Sequence, residues 1–366
     1  MSKIGNFFHT VFVKAVWQTF CVNWVWKTFF VAWIYQAFWK ELIVKKLKFD
    51  KWKGWVYLLP VLVLIAVFTI WPIFNTVRIA FLYDFDKNES YSTLGALGGE
   101  VNYSFTFKNF TDVIVGDADF LTAMKNTLLL CVITVPLSTI IALLIAVCLN
   151  AIKPLQKFLQ TIFFLPYVTN SLAIGMVFAV MFDIVGTGLG TLRPDIETAG
   201  IVNTMLGWFG AEPINWIDTG STYGAKLAVM VIYIVWNALP FKILVLLGGL
   251  QGINKQYYDA AKIDGASRSR IFFRVTVPLL SPMIAYVVIT GFIGGFKEYS
   301  SVVGIFGDKM GPVGQLYSMQ TMVGLIYRAL ETDKAGRASA AALILFVIIF
   351  IVTMINLRVS KKKTHY

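Results

Sequence analysis

Six apolar segments of membrane-spanning length divide this chain and restrict its fold more than any other feature. They lie at about residues 55–81, 124–149, 158–182, 226–250, 279–303 and 338–357. About 20 consecutive apolar residues cross a bilayer as a helix, and a chain inside lipid must satisfy its own backbone polar groups. Hydrophobic residues make up 57% of the chain and charged residues 14%. The sequence therefore predicts an all-α polytopic membrane protein with six core transmembrane helices.

Basic residues concentrate in alternate segments between these spans. A net charge of +12 is compatible with nucleic-acid binding, but the position of the cations decides against it. The loops at 84–122 and 183–223 are mainly acidic, and the basic residues cluster at 40–53, 153–157, 255–274 and 358–363. Lys and Arg concentrate in cytoplasmic loops of membrane proteins. The pattern predicts a multi-pass protein with a cytoplasmic C-terminus and no nucleic-acid partner.

The N-terminal residues 1–50 differ from the rest of the chain. They are rich in Trp and Phe and are interrupted by Lys14, Lys27 and Lys40. Two interpretations are open: an aromatic helix lying in the membrane interface, or a seventh span at about 16–39. In such a span Lys27 would lie near the costly centre of the bilayer. We therefore divide the chain into this segment, 1–50, and a transmembrane domain, 51–366.

Residues that commonly perform catalysis or bind metals are scarce. The two histidines, His9 and His365, lie near the termini, and Cys21, Cys131 and Cys148 lack metal-ligand spacing. The glycines at 220–224 do not match the spacing of a phosphate-binding loop. We expect no enzymatic activity, no catalytic residue, and no metal or cofactor bound by this chain.

One polar and basic stretch, residues 251–282, lies between two of the apolar segments. It predicts two short helices joined at Gly265, with Asn254 capping the first, Ser267 capping the second, and Pro278 entering the next span. Ala260 and Ala261 keep one face of the first helix small. Such a face permits close approach by another backbone, so the stretch is a candidate docking surface.

The spacing in this stretch resembles the EAA loop of ATP-binding-cassette (ABC) importer permeases, which are binding-protein-dependent transport components. Their pattern is E-A-A, three residues, G, nine residues, I-x-L-P. The matching positions here are Asp259, Ala260, Ala261, Gly265, Val275, Val277 and Pro278, without insertion. Asp replaces Glu, and Val replaces Ile and Leu. The residues at 250–253 and 264–266 are similar to those of the carbohydrate-importing, maltose-type branch.

The resemblance covers about residues 55–358, and it implies the permease subunit of an ATP-driven importer for a carbohydrate, in particular an oligosaccharide, in a prokaryotic inner membrane. It implies three kinds of protein partner besides membrane lipid: a second homologous permease, two ATPase subunits that hold ATP and Mg, and an extracytoplasmic sugar-binding protein. The EAA-like loop would contact the ATPase. The coupling residues implied are Tyr258, Asp259, Ala260, Ala261, Asp264, Gly265, Ala266, Val275 and Pro278.

Substrate contacts are predicted from residue type on the spans that flank this loop. Aromatic rings stack on sugar faces, and amides or carboxylates bond hydroxyl groups. The candidates are Trp236, Asn237, Phe241, Phe296, Glu298 and Tyr299. Lys242 either faces the pathway or extends toward the membrane surface. Two alternatives stay open: an ion-coupled secondary transporter or channel, and an ABC importer of a glycerol phosphodiester or polyol.

Overall fold

The computed structural model describes residues 53–83, 85, 104–152, 158, 161–163, 167–183, 200–332 and 334–363. The N-terminal segment 1–50 lies outside the described residues, so both of its interpretations stay predictions. The chain divides into two compact units, residues 1–75 and 76–366. The boundary predicted at residue 50 also stays a prediction.

Helices make up nearly all of the regular structure. The first helix, α1 (Lys53–Ile65), continues through a π-helical turn (Ala66–Ile70) into α2 (Trp71–Ala80). The next are α3 (Lys108–Ile114), α4 (Phe120–Ala151), α5 (Ser171–Phe182), α6 (Ile201–Trp208) and α7 (Tyr223–Gly252). There follow α8 (Lys255–Ile263), α9 (Arg268–Ile271), a second π-helical turn (Phe272–Thr276) and α10 (Val277–Gly295). The last are α11 (Ser300–Phe306), α12 (Met322–Glu331) and α13 (Ala335–Lys363).

Both π-helical turns directly precede a proline. The first, Ala66–Ile70, is followed by Pro72, and the second, Phe272–Thr276, is followed by Pro278. A proline lacks the N–H that would bond to the carbonyl four residues back, and its ring collides with that carbonyl. Widening the preceding turn relieves the collision without ending the helix.

Five helical segments are long and apolar enough to cross a membrane. They cover residues 54–80, 120–151, 223–252, 268–295 and 335–361. The predicted third span, 158–182, lies partly outside the described residues, and its described helix is α5. These segments confirm the all-α polytopic fold within the part of the chain that the structure describes.

The predicted span 279–303 is not one helix. Helix α10 ends at Gly295, and the N–H groups of Phe296, Lys297 and Glu298 bond back to carbonyls of that last turn. Helix α11 then begins as a separate element at Ser300. Hydropathy alone could not show this break, because the segment stays apolar on both sides of the turn.

Helices α4 and α7 pack along each other and form the centre of the second unit, with α10 against both. We call the end at Leu149, Leu250 and Leu280, which leads into α8, the α8 end. We call the opposite end, near Phe120 and Met322, the far end. Helix α5 packs against α11, and α12 and α13 pack together.

The crossing of α5 and α11 depends on two glycines. A Cβ at Gly175 would lie 2.8 Å from the Gly304 Cα, and a Cβ at Gly304 would lie 2.9 Å from the Gly175 Cα. Neither residue can carry a side chain without moving a backbone. Small residues at helix crossings are typical of membrane proteins, since they allow close backbone packing.

Candidate functional site

The EAA-like stretch forms the two helices that the sequence predicts. The Asn254 side chain accepts a hydrogen bond from Gln256 N–H at the start of α8, and the Ser267 hydroxyl accepts one from Arg270 N–H at the start of α9. Between the helices, Gly265 adopts φ +68°. This left-handed conformation suits glycine.

The turn at Gly265 closes α8 with two backbone hydrogen bonds. Ala266 N–H bonds to Ala261 O and Gly265 N–H to Lys262 O, each at 3.0 Å. Together they form a Schellman motif, which satisfies the last carbonyls of a helix. The direction of the chain between α8 and α9 is therefore fixed by the backbone.

Helix α8 has no buried side chain. Asp259, Ala260, Asp264 and Gly265 are exposed, and Ile263 is 86% exposed although it is apolar. The other predicted coupling residues are half-buried: Tyr258, Ala261, Ala266, Val275 and Pro278. On α8, Lys262 Nζ lies 3.2 Å from Asp259 Oδ1. The helix therefore leaves most of its surface accessible to another molecule.

A cavity of about 380 Å3 lies between α4, α5, α7 and α10. Its wall combines aromatic rings with hydroxyl, amide and charged groups. The polar and aromatic lining residues are Thr134, Ser138, Tyr167, Ser171, Asn237, Phe241, Lys242, Thr290 and Glu298. A mixed wall of this kind can stack a ring and bond its substituents.

Three of the six predicted pathway residues lie on this wall: Asn237, Phe241 and Glu298. The carboxylate of Glu298 accepts hydrogen bonds from the hydroxyl and the N–H of Ser301. Its main chain is held separately, because Thr321 Oγ1 donates to the Glu298 carbonyl at 2.8 Å. The first turn of α11 therefore positions this acid at the cavity.

The other three predicted pathway residues lie beside the cavity wall rather than on it. Trp236 packs against Phe178 with ring centroids 5.4 Å apart, and Tyr299 stacks on Tyr327 at 4.5 Å. Phe296 is 2% exposed in a cluster of buried side chains at the far end. These contacts are packing interactions within the protein.

Lys242 points across α7 toward α4. Its ammonium donates to Val135 O at 3.1 Å, Ser138 Oγ at 2.7 Å and Thr139 Oγ1 at 3.0 Å. The side chain is buried, and its nitrogen does not extend to the membrane surface. An ammonium has three donors, so these neutral acceptors account for all of them. Lys242 thus joins two helices at the cavity wall.

Tyr167 and the polar residues on α4 were not among the residues predicted from sequence. The Tyr167 ring lies 6.1 Å from that of Phe241, so two stacked rings line the cavity together. The Phe241 ring also lies 6.4 Å from that of Tyr286, which is outside the lining. Thr134 and Ser138 were detectable in principle, because they are four residues apart in an apolar span and share a helix face. No comparable signal marks Tyr167.

Among the described residues, no group of three His, Cys, Asp or Glu side chains could hold a metal ion. Two helices connect the cavity to the EAA-like stretch. Helix α7 lines the cavity with Asn237 and Phe241, and two residues separate its end from α8. Helix α10 leads from the stretch back to the same cavity.

The family model described as "Binding-protein-dependent transport system inner membrane component" matches residues 135–365. That range includes α7, the EAA-like stretch and α10. The chain belongs to this family. It is a membrane transport component, as the resemblance implied, and its family decides against the ion-coupled transporter and channel alternatives.

Two similar curated proteins are transport permeases by name. A probable ABC transporter permease protein of Mycoplasma genitalium, MG188, is 29% identical over 81% of this chain and 82% of its own. The Bacillus subtilis arabinooligosaccharide permease AraP is 27% identical over 88% of this chain and 91% of its own. The relatives of this chain thus include carbohydrate permeases, and among them is a trehalose/maltose permease, MalF of Thermococcus litoralis. This agrees with the resemblance to the maltose-type branch.

A solved structure shows the same fold. It is a chain of the bacterial alginate ABC transporter in complex with an alginate pentasaccharide-bound periplasmic protein. The TM-score is 0.66 at 21% sequence identity, over 89% of this chain and the whole of that chain. At this sequence identity, the similarity shows a shared fold and no more.

Proposed function

We propose that this chain is a permease subunit of an ATP-driven importer and forms part of the membrane pathway for a carbohydrate, in particular an oligosaccharide. One observation carries the proposal: the cavity between α4, α7 and α10 is joined through α7 and α10 to the exposed EAA-like stretch. Movement of α8 by a partner would reach the cavity wall through the short connection to α7 on one side and through the Gly265 turn, α9 and α10 on the other.

The partner at α8 is an ATPase subunit that holds ATP and Mg in its own site. The exposed Ile263 and the small Ala260 give α8 an apolar, closely approachable surface, and the turn at Gly265 fixes its direction. The coupling residues are those of the EAA-like pattern, from Tyr258 to Pro278. Coupling would depend on their position as a rigid unit.

The cavity chemistry supports a sugar as substrate. The rings of Tyr167 and Phe241 offer stacking surfaces, and Asn237 and Glu298 offer hydrogen-bonding groups. Sugar rings have apolar faces and hydroxyl edges, so a wall of this composition complements both. Trp236, Phe296 and Tyr299 do not line this cavity.

A complete importer would also contain a second homologous permease, a second ATPase subunit and an extracytoplasmic sugar-binding protein. The EAA-like stretch and the C-terminus would be cytoplasmic. The cations of 255–274 and 358–363 lie at these two places, which supports this orientation under the positive-inside rule. The site of transport would be the inner membrane of a prokaryotic cell.

Affinity purification of the tagged chain from its native membrane, with mass spectrometry of the proteins retained, tests the proposal. The discriminating variant is Gly265→Val, because Val at φ +68° must distort the turn between α8 and α9. We expect wild type to retain an ATPase and a second permease, and the variant to lose the ATPase and sugar uptake.

Gly220→Val is the matched control. Gly220 has φ +83° and open space around its Cβ position, as Gly265 does, but it lies before α7 at the far end. It should suffer similar backbone strain and keep the ATPase. If wild type retains no ATPase, or if both variants lose it equally, the coupling role of the EAA-like stretch is wrong.

A further inference from the structure

Helix α6 presents an apolar face to its surroundings. Four residues spaced as i, i+4, i+7 and i+8 share that face: Ile201, Met205, Trp208 and Phe209. Trp208 is 76% exposed and Phe209 is 88% exposed. No charged residue occurs between 200 and 211. Four large apolar side chains at adjacent positions form a patch that water solvates poorly.

The opposite face of α6 is held firmly. Asn203 is buried, and its amide donates to Ile214 O at 3.0 Å. Its carbonyl oxygen accepts from Ile214 N–H at 3.1 Å and from Trp216 Nε1–H at 3.0 Å. Because one buried side chain makes three hydrogen bonds, α6 cannot rotate to bury its apolar face against the bundle without breaking them.

The start of α6 is fixed to the end of the membrane helix α5. Gly200 N–H donates to Asp183 O at 2.9 Å, and a Cβ at Gly200 would collide with the Met181 and Val180 carbonyls. Helix α5 itself exposes Met176 and Val177. The apolar face of α6 therefore begins beside the last turn of the apolar helix α5.

We propose that α6 is an interfacial helix whose apolar face, Ile201, Met205, Trp208 and Phe209, inserts into the lipid leaflet at the far end of the bundle. Lipid fits better than a soluble partner protein, because the face is uncharged, contains a Trp and a Phe, and begins beside the end of α5, an apolar helix that exposes Met176 and Val177. Trp favours the membrane interface, where its ring contacts acyl chains and its N–H reaches water. Insertion of such a face to a depth of about 5–10 Å is typical of interfacial helices.

Spin-label accessibility in vesicles of the full-length chain tests the insertion. Cys21, Cys131 and Cys148 are first replaced by Ala, and a nitroxide is attached at Met205→Cys or at Trp208→Cys. Glu212→Cys is the matched control, since Glu212 is exposed and lies only four residues after Trp208. We expect oxygen to relax the labels at 205 and 208 more than a water-soluble nickel chelate does, and the reverse at 212. Equal access of the chelate to all three would overturn the proposal.

Photo-cross-linking identifies what covers the face. A benzoylphenylalanine in place of Phe209, irradiated in native membranes, should give an adduct with the mass of a phospholipid. An adduct with another protein, or with another part of this chain, would overturn the proposal. The result is independent of the transported substrate, so a failure here leaves the importer function untouched.

Discussion

The two ends of helix α7 are constructed in opposite ways. At the far end, Lys226 is buried and bonds to Gln315 and Ser318, while the neighbouring Tyr223 donates to Asn126 at 2.8 Å. At the α8 end, the chain leaves α7 and forms a helix without a single buried side chain. Buried hydrogen bonds hold the far end of α7, whereas the helix that follows its α8 end is accessible to other molecules.

The difference indicates where substitutions should act. Buried polar groups that lose a partner keep their desolvation cost, so the far end should control stability. Exposed residues contribute little to stability, so the α8 end should control assembly and uptake. Substitutions at the two ends should therefore differ in their effect on unfolding.

Asn126→Ala should have the largest effect. The Asn126 amide donates to Ser318 O at 3.0 Å and Gln320 O at 2.9 Å, in addition to accepting from Tyr223. Its removal leaves one buried and two half-buried groups unpaired, and at up to roughly 1 kcal/mol each this predicts a loss of about 2–3 kcal/mol. Thermal unfolding in detergent measures the loss. Asn150→Ala, at an exposed position on the same helix, is the control, and equal unfolding temperatures for the two variants would contradict the prediction.

Gly175→Ala and Gly248→Ala should act in opposite directions. The new methyl at 175 meets the backbone of Gly304, and such overpacking costs about 1–3 kcal/mol. The methyl at 248 meets open space, and Ala is favoured over Gly in a helix by up to about 1 kcal/mol. Thermal unfolding of both variants separates the two effects. Destabilisation by both would show that the α5–α11 crossing is not the cause.

Lys242→Met should change stability by less than about 1 kcal/mol, although Lys242 is a buried cation. Its hydroxyl acceptors also bond within α4: Ser138 donates to Thr134 O, and Thr139 donates to Val135 O at 2.7 Å. They are therefore not left without a partner, and replacing a buried charge by an apolar side chain of similar volume is often neutral. A large fall in unfolding temperature would mean that the hydrogen bonds of Lys242 stabilise the packing of α4 against α7. Sugar uptake by the variant, measured separately, tests whether the charge of Lys242 is needed for transport.

Asp259→Asn should have the smallest effect on unfolding, within about 0.5 kcal/mol. The Asp259–Lys262 pair is about two thirds exposed on both sides, and exposed pairs of this kind contribute little. Retention of the ATPase should nevertheless fall, because the substitution changes the charge of the proposed docking surface. Unchanged retention and unchanged uptake would remove Asp259 from the coupling residues.

Local chemistry made much of the fold predictable. Hydropathy and length predict the membrane helices, and Asn254, Gly265 and Ser267 predict the two helices of the EAA-like stretch from sequence alone. Each of these signals acts within a few residues along the chain. Capping, a left-handed turn and an apolar run are largely satisfied by neighbouring residues.

The cavity was only partly predictable. Residue type and position on a flanking span selected Asn237, Phe241 and Glu298, which lie on the wall, together with Trp236, Phe296 and Tyr299, which lie beside it. These spans are apolar on almost every side. The sequence of these spans therefore does not indicate which face of each helix is turned toward the cavity.

The amino-acid sequence predicts the class of the protein, the order of its helices and the form of the stretch proposed to meet the ATPase. Contacts between distant helices, in contrast, bring Tyr167 to Phe241 and bond Lys242 to α4. The folded structure also shows that the span at 279–303 breaks at Gly295 and that α6 keeps its apolar face exposed. Caps and hydropathy act between neighbours along the chain, whereas the rotation of each helix depends on side chains far away in sequence.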